Sequence, residues 1–107
     1  MNSNTALTET VFYILLTLIK PLHGYGVMQE VSKLTHERLN LGAGTLYGAL
    51  KNLSKKGWIM EVEADMNARD KRAYLITDSG RAALEAEHTR LNELVRNADI
   101  ILGKEHP

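Results

Sequence analysis

Hydrophobic periodicity along this chain predicts a mainly α fold with one two-stranded β-hairpin: three helices before the hairpin and a long helix after it. Three observations predict it. Between Gly42 and Gly57, Leu46, Ala49, Leu50 and Leu53 fall on one face of a 3.6-residue helix, while Gly44, Thr45, Gly48, Lys51, Asn52 and Lys55 fall on the other. After Gly57 the period drops to two, and Trp58, Met60 and Val62 alternate with Ile59, Glu61 and Glu63. Beyond Thr77, Leu84, His88, Leu91, Val95, Ala98 and Leu102 recur at spacings of 4, 3, 4, 3 and 4, the a/d seam of a coiled coil.

The first helix is expected after Thr5 or Thr8, either of which can cap it, and should run to about Lys20, where Pro21 stops it. Its second half, with Phe12, Tyr13, Ile14, Leu15, Leu16, Leu18 and Ile19, is apolar nearly all round. Such a helix is buried on more than one side, which in a small domain hints at a second chain. His23-Gly24-Tyr25 opens the second helix, about Tyr25 to Leu34, with Val27, Met28, Val31 and Leu34 as its inner face. Thr35 to Leu41 connects it to the third helix, which Gly57 terminates.

The strand that follows turns through Asp65 to Asp70 and returns over Arg72 to Thr77, with Tyr74 and Ile76 on one side. A lone hairpin is marginal in water, so this one must lean on the helices. Thr77 can cap a helix from about Asp78 to Leu102, at ~1.5 Å per residue ~37 Å long, more than so small a domain covers. Leu94 and Ile101 widen its seam. Its partner is the same helix or the first helix of another subunit; packing within one chain is the alternative. The element order is a winged helix-turn-helix over residues 5–77 with a C-terminal dimerisation helix over 78–102.

Composition bounds the function. At 107 residues and 44% hydrophobic, the chain supports one globular domain. The absence of cysteine excludes disulfides, zinc–thiolate sites and cysteine nucleophiles, and fits a reducing cytosol. The longest apolar stretch, Val11 to Ile19, is too short to span a bilayer and has no basic leader, so neither membrane association nor a signal peptide is expected. Net charge is zero, but its distribution is uneven. Lys20 to Arg72 holds nine Lys/Arg against six Asp/Glu, and Ala73 to Pro107 four against six.

The outer face of the third helix is slim, with two glycines, yet carries hydroxyl, amide and ammonium groups. Alone, this pattern reads as an amphipathic surface helix with solvated lysines. Beside a hairpin with basic residues it has what a helix in a DNA major groove needs: little bulk, hydrogen-bonding tips for base edges, and cations for phosphates.

His23-Gly24-Tyr25, Gly44-Thr45-Leu46-Tyr47 with Leu50, Leu53 and Gly57, and a basic wing closing on Tyr74-Leu75-Ile76-Thr77 with Gly80-Arg81 resemble the PadR family of bacterial transcriptional regulators over about residues 6–102. The single C-terminal helix resembles the family's short form. The resemblance implies a homodimer whose third helices enter successive major grooves of a pseudo-palindromic operator, acting as a repressor released by a small-molecule effector. It assigns Tyr47 to a phosphate, Thr45 to DNA near the helix start, and Arg69, Lys71 and Arg72 to wing contacts. The predicted DNA-binding set is thus Gly44, Thr45, Tyr47, Gly48, Lys51, Asn52, Lys55, Arg69, Lys71 and Arg72. The predicted dimer interface is Phe12, Leu84, His88, Leu91, Leu94, Val95, Ala98, Ile101 and Leu102. The sequence departs from the family pattern at Gly42-Ala43, where Ser-Pro is common, and at Ala68 and Asp70, where the wing tip usually carries Gly and Pro.

Other chemistry finds little support. The histidines at 23, 36, 88 and 106 show no His-x-x-x-His spacing, so no metal is expected. His88, on the seam, reads as a partly exposed side chain, with a register or pH-sensing role as the sharper alternative. Trp58 is expected to pack under the wing rather than line a ligand pocket with Tyr74. No nucleophile–base pair, paired carboxylates or phosphate-binding glycine loop follows from the sequence, so neither an enzyme nor a cofactor is expected. The competing class is a winged-helix protein-interaction module or ligand sensor without DNA binding, consistent with zero net charge.

Overall fold

A computed structural model of the chain describes residues 6–63 and 72–104. Its elements run α1 (Glu9–Thr17), α2 (Gly24–Leu34), α3 (Ala43–Lys55), β1 (Ile59–Glu63), β2 (Arg72–Ile76) and α4 (Asp78–Leu102). This is the predicted mainly α winged helix-turn-helix with a long C-terminal helix.

The helix ends have chemical causes. Thr8 caps α1 by accepting the Val11 N–H at 3.1 Å; Thr5, the other candidate, lies outside the described residues. α1 stops at Thr17, short of the expected Lys20, because the Leu18 carbonyl accepts the Ile76 N–H at 2.8 Å and turns the chain toward the sheet. At the end of α3, Gly57 takes φ +78°, and the Trp58 N–H reaches back to the Leu53 carbonyl at 3.0 Å. Gly103 closes α4 in the same way, with the Lys104 N–H on the Asp99 carbonyl at 2.7 Å. Thr77 caps α4 by accepting the Gly80 N–H at 3.1 Å, while its hydroxyl donates to the Gly57 carbonyl at 2.6 Å.

The antiparallel register sets Ile59 opposite Ile76 and Glu61 opposite Tyr74. Ile59, Tyr74 and Ile76 are therefore buried together against the helices, whereas Met60 is exposed and Val62 half-buried. The expected alternation does not appear in the burial of β1: Ile59, not Met60, enters the core, and Glu61 and Glu63 on the side of Ile59 are exposed. The hairpin is also not alone. Leu22 pairs with Tyr74 through both main-chain bonds, 3.1 and 2.9 Å, giving β2 a one-residue third strand on its free edge.

The core gathers Ile14, Leu15 and Leu18 of α1, Val27 and Val31 of α2, Leu46, Leu50 and Leu53 of α3, the wing base and Leu84 of α4. Leu34, expected on the inner face of α2, is exposed, because the inward position after Val27 and Val31 falls on the buried Thr35 instead. Gly80 lets α4 start against the main chain of Trp58, just ahead of β1. A Cβ there would drive into the Trp58 carbonyl, whose carbon lies only 2.9 Å away.

Candidate nucleic-acid interface

The connection between α2 and α3 aims the third helix. Thr35, itself buried, donates to the Val31 carbonyl at 2.9 Å and accepts the Leu39 N–H at 3.0 Å. His36 and Glu37 sit at φ 52° and 66°, conformations uncommon for side-chain-bearing residues, and the Asn40 amide holds the turn by donating to the Glu37 carbonyl at 2.8 Å. An ion pair between Glu9 and Arg38 ties this turn to the start of α1, holding the Glu9 carboxyl below its usual range. Leu41 buries itself ahead of α3, and Gly42 caps the helix without a side chain.

On α3, Leu46, Leu50 and Leu53 point inward with at most 2% of their surface exposed. Gly44, Thr45, Tyr47, Gly48, Lys51, Asn52 and Lys55 are all exposed. A Cβ built on Gly44 or Gly48 would meet nothing within 4 Å. The two glycines therefore do not relieve crowding inside this chain. They lower the profile of a face that turns away from it.

Tyr47 is exposed yet fixed. Its ring lies across Gly24, where a Cβ would come within 2.5 Å of the hydroxyl and 2.8 Å of Cζ. Gly24 thus seats the tyrosine against the first turn of α2, a reason for this glycine that no local pattern in the sequence reveals. Beside it, the His23 Nδ1 stands 2.9 Å from the Arg72 carbonyl, and the Arg72 side chain lies close enough to the Tyr74 phenol to influence its ionisation. Burial raises the Tyr74 phenol above its ordinary value, partly offset by that arginine. Arg72 and Tyr47 therefore lie near one another at the junction of wing, α2 and α3. Arg69 and Lys71, the other expected wing contacts, lie outside the described residues, as does His106.

The expected interface residues divide. Leu84 is 5% exposed within its own chain's core, and Phe12 packs half-buried on that core, edge-to-face with Tyr13 at 6.0 Å. Leu84 is thus removed from the surface a partner could cover, because the first turns of α4 lie on α1 and the wing. Further along, Leu91 is half-buried, and His88, Leu94, Val95, Ala98, Ile101 and Leu102 are exposed. The apolar side chains at this end remain open, Val95 by 55%, Ile101 by 83% and Leu102 by 65%. Ile100, absent from the predicted seam, is 64% exposed beside them.

Sequence reasoning also missed Glu87. This carboxylate is 5% exposed, accepts two bonds from Arg90 at 2.8 and 2.7 Å, and takes the Leu7 N–H at 3.2 Å. Arg90, then the Leu7 amide, hold its carboxyl below the usual range. The acid three residues before an arginine on the inner side of α4 was the available signal. Trp58, with Lys56 over its ring at 4.7 Å, lines a groove of about 790 Å³ together with Val11, Leu53, Asn52 and Lys55. It therefore opens onto a concave surface rather than packing wholly under the wing. Among the described residues no cluster of three potential metal ligands occurs, and no helix is long and apolar enough to cross a membrane.

Residues 12–86 match the family model of the transcriptional regulator PadR-like family. A transcriptional regulator of Mycobacterium tuberculosis is 32% identical over 85 residues, covering 79% of this chain and 75% of that protein. The crystal structure of a PadR family regulator from Eggerthella lenta superposes with a TM-score of 0.72 at 20% identity, covering 89% of this chain and 82% of the other. A transcriptional regulator from Clostridium thermocellum does so with a TM-score of 0.66 at 27% identity, covering 83% and 87%.

Proposed function

Because this chain belongs to the PadR-like family of transcriptional regulators, and is therefore a regulator and not an enzyme, we propose that it binds duplex DNA as a homodimeric repressor. In this reading residues 5–77 form the DNA-binding domain and α4 the dimerisation helix. The observation that carries it is the outer face of α3: slim at Gly44 and Gly48, and furnished with Thr45, Asn52, Lys51 and Lys55, all open to solvent. Neutral overall charge does not oppose this, since phosphate attraction is local and the acidic excess lies in the C-terminal third.

Two copies joined through α4 present two such helices related by a two-fold axis. They suit an inverted repeat with half-sites about one helical turn apart, ~34 Å. Thr45 and Asn52 would read base edges. Tyr47, Lys51, Lys55 and the wing's basic residues would hold phosphates and fix the register. Release by a small molecule belongs to the same proposal, through the groove beside Trp58, because Asn52 and Lys55 line that groove as well as the DNA-facing surface.

Titration against operator and mixed-sequence duplexes at several salt concentrations tests the reading; footprinting upstream of the protein's own gene would supply the operator. Lys55→Ala should weaken both duplexes and reduce the salt slope by about one. Tyr47→Phe should weaken both by about 1 kcal/mol. Thr45→Ala or Asn52→Ala should narrow the gap between the two by roughly 1–3 kcal/mol. Unchanged binding in all four variants would mean that α3 does not enter the groove.

A further inference from the structure

The wing base is held by a side chain standing where a strand would otherwise continue. Leu22 and Tyr74 exchange both of their main-chain hydrogen bonds. In antiparallel pairing the next such pair lies two residues along each chain, here Gly24 with Arg72. Gly24 is already the first residue of α2 and is unavailable. The His23 imidazole takes its place, with Nδ1 2.9 Å from the Arg72 carbonyl. A carbonyl oxygen only accepts, so Nδ1 carries the proton and donates it.

His23 also occupies the N-cap of α2, yet makes no capping bond. Thr8 and Thr77 each use their side chain to cap their own helix. The side chain of His23 is turned to the wing instead. Arg72 is thereby held at its carbonyl by His23.

We propose that His23 is a positioning residue for Arg72: by supplying the missing ladder bond it fixes the peptide plane at the start of β2, and so the direction in which the guanidinium leaves the wing toward a DNA phosphate. This rests on the DNA-binding reading above. It assigns His23 no contact with DNA.

The test is a double-mutant cycle of parent, His23→Ala, Arg72→Ala and the double variant, each titrated against a mixed-sequence duplex over a range of salt. Arg72→Ala should lower affinity about fivefold and the salt slope by about one. His23→Ala should lower affinity about threefold and remove part of that slope, yet change the Arg72→Ala protein by less than about 1.5-fold. His23→Asn, whose side-chain amide reaches close to the position of the imidazole Nδ1, should retain the parent's slope and serves if the alanine variant fails to fold. Equal weakening by His23→Ala in both backgrounds, or loss of slope in His23→Asn, would overturn the proposal. So would an Arg72→Ala protein that binds like a salt-sensitive parent, which would leave the DNA-binding reading standing. A parent without salt-dependent duplex affinity would overturn both.

Discussion

Val95→Glu separates dimer formation from folding, because Val95 is 55% exposed and stands outside the core cluster of its own chain. Burying a valine side chain completely contributes about 1.5–3 kcal/mol, so the exposed half still offers roughly 1 kcal/mol per copy to an interface. Two-fold symmetry counts it twice. A carboxylate in its place also has to leave water, which costs several kcal/mol when unpaired. Together these terms weaken association by at least about 3 kcal/mol, or more than about a hundredfold in dissociation constant. The helix itself should persist, since glutamate favours helix slightly more than valine. Sedimentation equilibrium over a concentration series should show a dimeric parent and a monomeric variant, with unchanged helical circular dichroism. A variant dimer as tight as the parent's would exclude this stretch of α4 from the interface. A parent that stays monomeric would refute the reasoning altogether.

Two further substitutions probe the fold. Gly80→Ala should destabilise by about 1–3 kcal/mol, because its Cβ meets a backbone carbonyl that cannot move aside; thermal unfolding should fall by about 4–12 °C. The sign is decisive, since the same change at an open helix position raises stability by up to about 1 kcal/mol. Glu87→Gln should change the response to acid. The folded-state carboxyl of Glu87 lies below its unfolded value, so its contribution is complete above pH about 4.3 and is lost as pH falls through the lower folded value. Melting curves between neutral pH and about pH 3 should therefore fall less steeply for the glutamine variant, and parallel curves would show that Glu87 does not contribute in this way.

The elements were legible in the sequence where the signal is local. Leucine spacing places α3, Gly57 ends it, Thr77 caps α4, and the change of period marks β1, because each depends on neighbours within a turn or on the next residue but one. The outward face of α3 followed from the same arithmetic. Other features required contacts between residues distant along the chain. Ile59 rather than Met60 enters the core because the register with Ile76 decides which side of β1 meets the helices. Leu84 belongs to the core although the heptad spacing groups it with Leu91 and Val95, since a repeat reports a shared helix face but not what covers each turn of it. Gly24 beneath Tyr47, Gly80 against Trp58, His23 on Arg72 and Glu87 on Leu7 join residues between 22 and 80 positions apart. By itself, then, the sequence determined the order of elements, their caps and the chemistry offered on the outer face of α3, because those depend on periodicity and local hydrogen bonding. Tertiary structure alone decided which side of the hairpin is buried, where α4 leaves the core and what holds Tyr47 and Arg72 in place, because packing and long-range hydrogen bonds exist only once distant segments are brought together.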